Sequence, residues 1–453
     1  MLASRVPAGL VLALLLVLGA ASGCAVVSDG REGRGAGGGD LPRPTREVLP
    51  NGVVMIVQPH RASDVVALQL WMRVGGRDEA PDDLGLSHYL EHMLFKGTAS
   101  RPPGSIDRMI EGFGGASNAF TSYDYTHYDV VLPAEHVRSG IELLADIAVN
   151  ASFPPEEIDG ERQVVFEEMR LLEDDTDRFL VRRLYETAYA EHPYGRPILG
   201  PRPLIETLTR ERLDRYYKKL YAPANMTIVV VGAVTPRQVR PVVAATFGRL
   251  AARPAPRATV APSVPDGARR SVSVDRAEKQ AYLGLAWKAA PISGADVLAV
   301  DLLTYILGDS PSSRLNLAVR ERDRLVFTIE SGYGAWEKGG LVTVTARLDP
   351  VNLDRAERSI LDVIRRVQAE GVTETERQRA IITAESAYAF DIETAEGLAK
   401  AYGQAETTWN LDGELGYLAK LRQITAAEIQ AAARKYFGTD AMPYSARVRF
   451  VPR

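Results

Sequence analysis

Residues 85–97 read Gly85-Leu-Ser-His-Tyr-Leu-Glu-His-Met-Leu-Phe-Lys-Gly97, and the order His88-x-x-Glu91-His92 inside them governs the reading of the whole chain. On a helix, residues four apart stand on one face, so two imidazoles can grip one cation while Glu91 leans toward the same point. The pattern reverses the HExxH arrangement of zinc hydrolases. The chain holds six histidines in total, which makes chance a poor explanation of this spacing. The competing reading is a helix with ordinary surface histidines.

A hydrolytic zinc site takes three protein ligands and keeps a fourth position open. Residues 156–173 place Ile158, Val164, Val165, Met169, Leu171 and Leu172 at spacings that suit an amphipathic helix. Glu161 and Glu168 lie two turns apart and share a face, while Glu167 is turned about 100° away from it. Each of these acids reads equally well as part of a solvated helix face. Spacing therefore leaves the third ligand open.

Four segments together resemble the pitrilysin, insulin-degrading enzyme and mitochondrial processing peptidase family in order and spacing. They are His88-Tyr-Leu-Glu-His92, Gly114-Gly-Ala-Ser-Asn-Ala-Phe-Thr-Ser122, the Glu161/Glu168 helix, and His192-Pro-Tyr-Gly-Arg-Pro-Ile-Leu-Gly200. The resemblance runs from about residue 45 onward. It implies a zinc endopeptidase holding one zinc ion through His88, His92 and Glu168, since the family's third ligand lies roughly 76 residues past the second histidine. It also implies that Glu161 supports the site and that Glu91 is the general base, a role worth about 10²- to 10⁴-fold in rate. Asn118, Ala119 and Phe120 are implied to bind substrate, as part of a sheet edge that pairs with an extended peptide. From sequence alone the same segment reads as an ordinary strand ahead of the alternating stretch Tyr125 to Leu132. Phe95, three residues past His92, is expected either to line a side-chain pocket or to pack in the core.

At 453 residues the chain is long for one core and implies two or more domains. The formal charge of −4 is mild, and no basic stripe or aromatic platform stands out, so nucleic acid is not an expected partner. Near the start, Arg5 precedes the apolar run Leu10 to Leu18 and the small residues Gly19-Ala-Ala-Ser-Gly23. That run is too short to span a bilayer and reads as an export signal over residues 1–23. Cys24 is the only cysteine and follows Ala21-Ser-Gly23, which resembles a bacterial lipoprotein box with Ala21 where leucine is commoner. Lipidation at Cys24 is expected, with a plain secretory signal as the alternative. Ala25 follows, with no aspartate there, so the expected address is an outer-membrane lipoprotein facing the periplasm, or a cell-surface lipoprotein. Residues 24–44, rich in glycine, read as the tether. No intrachain disulfide is available, so stability must come from apolar cores.

A proline-rich linker over 251–266 separates a half at 45–250 from one at 267–453, and these read as diverged copies. In the first, a strand ending Val130-Val-Leu-Pro133 and a helix from about Ala134 to Val149 precede Glu161-Arg-Gln. In the second, Val344-Thr-Ala-Arg-Leu-Asp-Pro350 and a helix to about Ala369 precede Glu376-Arg-Gln378. Glu168 then corresponds to Thr383, and the last histidine is His192, so only the first copy can build a histidine site. The expected fold is α+β, two homologous repeats that each pack helices on one face of a largely antiparallel sheet.

One departure bears on partners. Many relatives carry, in the second half, an arginine and seven residues later a tyrosine that hold the substrate carbonyl. Here Arg320 is present, but Phe327 occupies the tyrosine position. Loss of such a donor costs about 2.7–4 kcal/mol. The resemblance therefore implies a site shared with a homologous subunit lacking HxxEH, in a heterodimer, or a homodimer. The other reading packs Phe327 in a core. Rival functions are a non-catalytic peptide-binding or assembly subunit of this fold, and a zinc hydrolase acting on bonds other than peptides.

Overall fold

The computed structural model describes residues 43–453, so the expected export signal, Cys24 and nearly all of the tether lie outside the described residues. The first half begins β1 (Thr45–Val48), β2 (Val54–Pro59), β3 (Val65–Met72), α1 (Leu86–Leu94), α2 (Ser105–Gly112), β4 (Ala116–Thr121) and β5 (Thr126–Pro133). It continues α3 (Val137–Asn150), α4 (Pro155–Asp174), α5 (Thr176–Tyr189), α6 (Arg202–Glu206), α7 (Arg210–Leu220), β6 (Met226–Gly232) and α8 (Pro236–Ala245). The second half begins β7 (Arg270–Arg276), β8 (Ala281–Ala289), α9 (Val297–Gly308), β9 (Thr328–Trp336), β10 (Gly339–Leu348) and α10 (Leu353–Glu370). It ends α11 (Glu374–Asp391), α12 (Ala395–Thr408), α13 (Leu411–Leu415), α14 (Tyr417–Leu421), α15 (Ala426–Tyr436) and β11 (Ala446–Pro452).

The two sheets run β1-β2-β6-β3-β5-β4 and β7-β11-β8-β10-β9. Apart from the extra β1 they match strand for strand, and each has one parallel pair, β2 with β6 and β7 with β11, among antiparallel neighbours. The expected α+β fold of two repeats is what the chain forms. On one face of each sheet lie the repeat's own helices. Leu68, Leu70, Tyr128, Val130, Ile228 and Val230 point into the first of these cores, and Leu283, Leu285, Trp287, Val342 and Val344 into the second.

The opposite faces are covered by exchange. Helix α5 leaves the first repeat and lays Leu180, Leu184 and Ala188 against Tyr282, Ala286, Val448 and Phe450 of the second sheet. Helix α12 returns the contact, packing Leu398, Ala399 and Tyr402 on Ile56, Ala67, Trp71, Val229 and Val231 of the first. Central strands buried on both faces read as unbroken apolar runs rather than alternating ones, which accounts for Met226–Gly232 and Ala281–Ala289 being buried throughout. Close approach is set by one glycine at each crossing. A Cβ on Gly284 would fall 2.7 Å from Leu184, and one on Gly403 2.0 Å from the Trp71 indole nitrogen.

Residues 251–269 have no helix or strand, yet they are held. The Ser263 N–H donates to the Lys338 carbonyl (2.6 Å) and Arg257 pairs with Glu337 (2.8 Å) beside the buried Arg77, Asp78 and Asp124. Among the described residues no helix is long and apolar enough to cross a membrane.

Because Trp71 is rigid and fully buried, Gly403→Ala should lower stability by about 1–3 kcal/mol through overpacking. The control Gly160→Ala, exposed in α4 with open space around it, should be neutral or stabilising by up to about 1 kcal/mol. Urea unfolding midpoints of the two variants check this.

Candidate metal centre

Helix α1 buries Leu86, Tyr89, Leu90, Met93 and Leu94 in the first core, which leaves His88, Glu91 and His92 on the remaining face. Its start is fixed from outside. Gly85 sits at φ +92° and touches Gly200, where a side chain on either residue would strike backbone. The Glu79 carboxylate, fully buried, accepts the N–H groups of Gly85 (2.9 Å) and Ser87 (2.7 Å), capping donors that a helix start leaves unpaired. Burial nevertheless pushes its pKa up to about 8. Arg196 binds the Glu79 carbonyl at 2.9 Å, so the His192–Gly200 stretch buttresses the metal helix from behind.

Helix α4 begins at Pro154-Pro155 with Glu156 and Glu157 in its first turn, where acids complement the helix dipole. Ile158, Val165 and Met169 anchor it in the core, and Tyr89 donates to the Ile158 carbonyl. That contact turns Glu161 and Glu168 toward α1.

Ligand atoms of His88, His92 and Glu168 all lie within 4.8 Å of one another. Glu168 Oε2 is 3.4 Å from His88 Nε2 and 3.5 Å from His92 Nε2. These three atoms, together with Glu91 Oε2, are buried and have no hydrogen-bond partner. Buried polar groups are nearly always paired, so the convergence of two imidazoles and a carboxylate on one space fits a divalent cation of the zinc type. Behind it, His92 Nδ1 meets Glu161 Oε2 at 2.8 Å, and Lys96 holds the other Glu161 oxygen at 2.6 Å.

The electrostatics divide the two histidines. Burial, reinforced by the neighbouring His92, drives the His88 pKa well down. Burial also works against charge on His92, but the Glu161 and Glu168 carboxylates outweigh it and raise the pKa to about 10. Desolvation raises the Glu91 carboxyl, opposed by His92 and by a hydrogen bond from Thr121. Glu161 bears a desolvation cost too, yet His92 and Lys96 hold it below the usual carboxylate range.

The remaining expected residues divide as follows. Glu167 is exposed and pairs with Arg170 at 2.5 Å. Strand β4 is the free edge of its sheet, with Asn118 exposed and its side-chain oxygen accepting the Ala119 N–H at 2.9 Å. The Phe120 side chain turns to the far face, among Tyr125 and His127, so only its backbone belongs to the edge. Phe95 packs edge-on to Tyr128 (5.9 Å). Arg320 is not with the metal helix; its polar partners are Glu321 and Asn316 of its own repeat. Phe327 is 49% exposed, which overturns the core-packing reading. Sequence inspection missed Glu79, Lys96 and Thr121. Only Lys96, one helical turn past His92, carried a signal that could have found it.

Two family descriptions match in tandem: Insulinase (Peptidase family M16) over residues 54–202 and Peptidase M16 inactive domain over 207–383. The chain belongs to peptidase family M16. A zinc protease of Streptomyces coelicolor, named as uncharacterized, is 28% identical over 401 residues, 87% of each chain. A protease structure from Helicobacter pylori superposes with a TM-score of 0.84 at 24% identity, covering 91% of this chain and all of that one. The periplasmic protease PqqL of Escherichia coli gives a TM-score of 0.72 at 20% identity, and the match covers 90% of this chain but 47% of that chain.

Carboxylates that hold a metal-binding histidine from behind are typically worth 10- to 100-fold in affinity, roughly. Glu161→Ala should therefore weaken zinc binding by about that factor while leaving the fold intact, as read by competition against a chromophoric chelator and by circular dichroism.

Proposed function

We propose that this M16 member is a zinc-dependent endopeptidase that cleaves peptides or unfolded protein segments in the bacterial cell envelope. The observation that carries the reading is the convergence of unpartnered His88, His92 and Glu168 atoms beside the buried, unpartnered Oε2 of Glu91. His88, His92 and Glu168 would hold one zinc ion, with Glu161 and Lys96 fixing the His92 ring. Zinc bound there supplies positive charge that acidifies water and polarises a carbonyl.

The chain's own residues do the rest. Glu91, with its carboxyl raised by desolvation, accepts a proton from the attacking water and returns it to the leaving amine, and Thr121 keeps its side chain oriented. The free edge of β4 takes an extended peptide as an added strand, where backbone hydrogen bonds give affinity without demanding a particular sequence. Asn118 swings from the Ala119 N–H to free that donor for the peptide carbonyl.

A homologous subunit completes the site. Arg320 keeps its polar contacts within its own repeat, and an exposed Phe327 stands where many relatives have tyrosine. PqqL is about twice this chain's length by coverage, which supports a pair of such chains as the working unit. The partner is a chain lacking HxxEH that brings arginine and tyrosine, or in a weaker assembly a second copy of this chain. Cys24 carries a lipid that anchors the pair at the outer membrane or cell surface.

Glu91→Gln should retain zinc and lose peptide hydrolysis by at least about 10²-fold, whereas His88→Ala should lose the metal; peptide cleavage beside metal analysis separates them. A Glu91→Gln protein that still turns over would sink the mechanism, whereas wild-type protein with no chelator-sensitive cleavage would leave an assembly role. The purified chain alone should cleave a peptide library weakly, and adding the homologous subunit should raise the rate; full activity alone rejects the shared site. Labelled fatty acid should appear in the wild type and not in Cys24→Ser, with membrane fractionation as the second readout.

A further inference from the structure

A surface groove in the second repeat lies between α10 and the π-helical turn Asn316–Arg322. It measures about 790 Å³, and its charged lining is Arg322, Arg355, Arg358, Arg365 and Arg366 against the two acids Asp323 and Asp362. On α10 these positions fall at intervals of three, seven and one, a single helical stripe. The other side of α10 packs Ala356, Ile360, Val363, Ile364 and Val367 into the core. Ser359 donates to Asp323 at 2.7 Å and ties the π-helical turn to the helix.

The charges do not cancel. Arg322 pairs with Asp323, and Arg365 with Asp362 and Asp440. Arg355 reaches only the Asn352 amide oxygen and Arg366 only the Asp362 carbonyl, both at 3.4 Å. Among the described residues neither these nor Arg358 meets a carboxylate of its own. Part of the stripe escapes notice in sequence because Arg355 and Arg358 each follow an acid, as Asp354-Arg355 and Glu357-Arg358. Helical geometry sends those acids elsewhere: Asp354 pairs with Arg449 at 2.8 Å, and Glu357 with Arg447 at 3.1 Å.

Nor does the fold demand this charge. The matching elements of the first repeat, α2 and α3, carry Asp107, Arg108, Glu111, Arg138, Glu142 and Asp146, an acidic balance. Clustered like charge repels itself, and a bound anion relieves it. A phosphate brings about −1.5 to −2 charges and three acceptor oxygens, suited to guanidinium forks. An acidic peptide strand presents carboxylates on one side only every 7 Å or so, roughly two residues, too sparse for arginines one turn apart.

We propose that this groove binds a ligand carrying two or more adjacent phosphate groups. Such a site lies apart from the metal centre and is independent of the peptidase reading. Calorimetric titration of the full chain with inorganic tripolyphosphate should show saturable one-to-one binding that weakens as salt rises. Arg358→Glu with Arg366→Glu should weaken it by at least about tenfold, and Asp362→Asn should strengthen it, with zinc content unchanged in both. Arg358→Gln with Arg366→Gln, which adds no acid, should give a smaller loss and guards against misfolding of the reversal. Vesicles containing phosphatidylglycerol, and an oligo-aspartate peptide, form the other arms. Vesicle binding in addition to tripolyphosphate, lost in the same variants, supports the site with a headgroup as its source. Absence of saturable tripolyphosphate binding, equal binding by the variants, or binding of oligo-aspartate in its place overturns the proposal.

Discussion

Each sheet in this molecule has two apolar faces, and each repeat has its own helices on only one of them. Everything else follows from how the second face is covered. Helices α5 and α12 cross between repeats, so neither sheet can bury its Trp71 or Phe450 side without the other half present. Two repeats that exchange helices in this way form one frame. The crossing points are glycines, where the backbone itself meets a large side chain. Since α4 leads directly into α5, the helix that carries Glu168 is tethered at its end to the second sheet, and the metal site inherits its rigidity from the exchange.

Burial sets the electrostatics of the candidate centre. His88 and Glu91 are nearly excluded from solvent, which favours their neutral forms. Glu161 and Glu168 bias His92 the other way. A cation between the rings would satisfy the orphaned atoms together, while Glu91, one step to the side, is left unpaired with a raised carboxyl. The same desolvation raises the Glu91 carboxyl, the property that a general base working near neutral pH requires.

What could be read from sequence is what depends on local periodicity. His88, Glu91 and His92 declare themselves by spacing along one helix, and α4 was legible from its apolar positions, as was the repeat from the order of strand, helix and acid. The choice of Glu168 over Glu167 came from family resemblance rather than from spacing. The crossing helices were not legible, because an amphipathic pattern says that a face is buried but not against which sheet. Glu79 caps α1 from a separate turn, and nothing in its neighbourhood announces that. Part of the arginine stripe was hidden because Asp354 and Glu357, beside Arg355 and Arg358 in the chain, are turned by the helix toward Arg449 and Arg447. Phe120 was assigned to the substrate edge as a residue, while the pleat assigns its side chain to the opposite face.

Two acids early in α4 and α11 show how one scaffold element serves different chemistry. Glu161 lies two turns into α4, past its N-cap Pro154, while Glu376 belongs to the first turn of α11 and closes its capping box with Thr373, because α10 is one turn longer than α3. In the first repeat the carboxylate is shared between His92 and Lys96. In the second, Arg314 takes both oxygens at 2.7 and 2.8 Å and also binds the Gly371 carbonyl. A partly buried acid needs a cationic partner in either case. Where the partner is a histidine, its far nitrogen remains free to face a metal; where it is an arginine, all of the charge is spent on the glutamate. The ion pair of Arg314 and Glu376 thus fixes the start of α11, and with no histidine after His192 the second repeat keeps the scaffold without the donor set of the first.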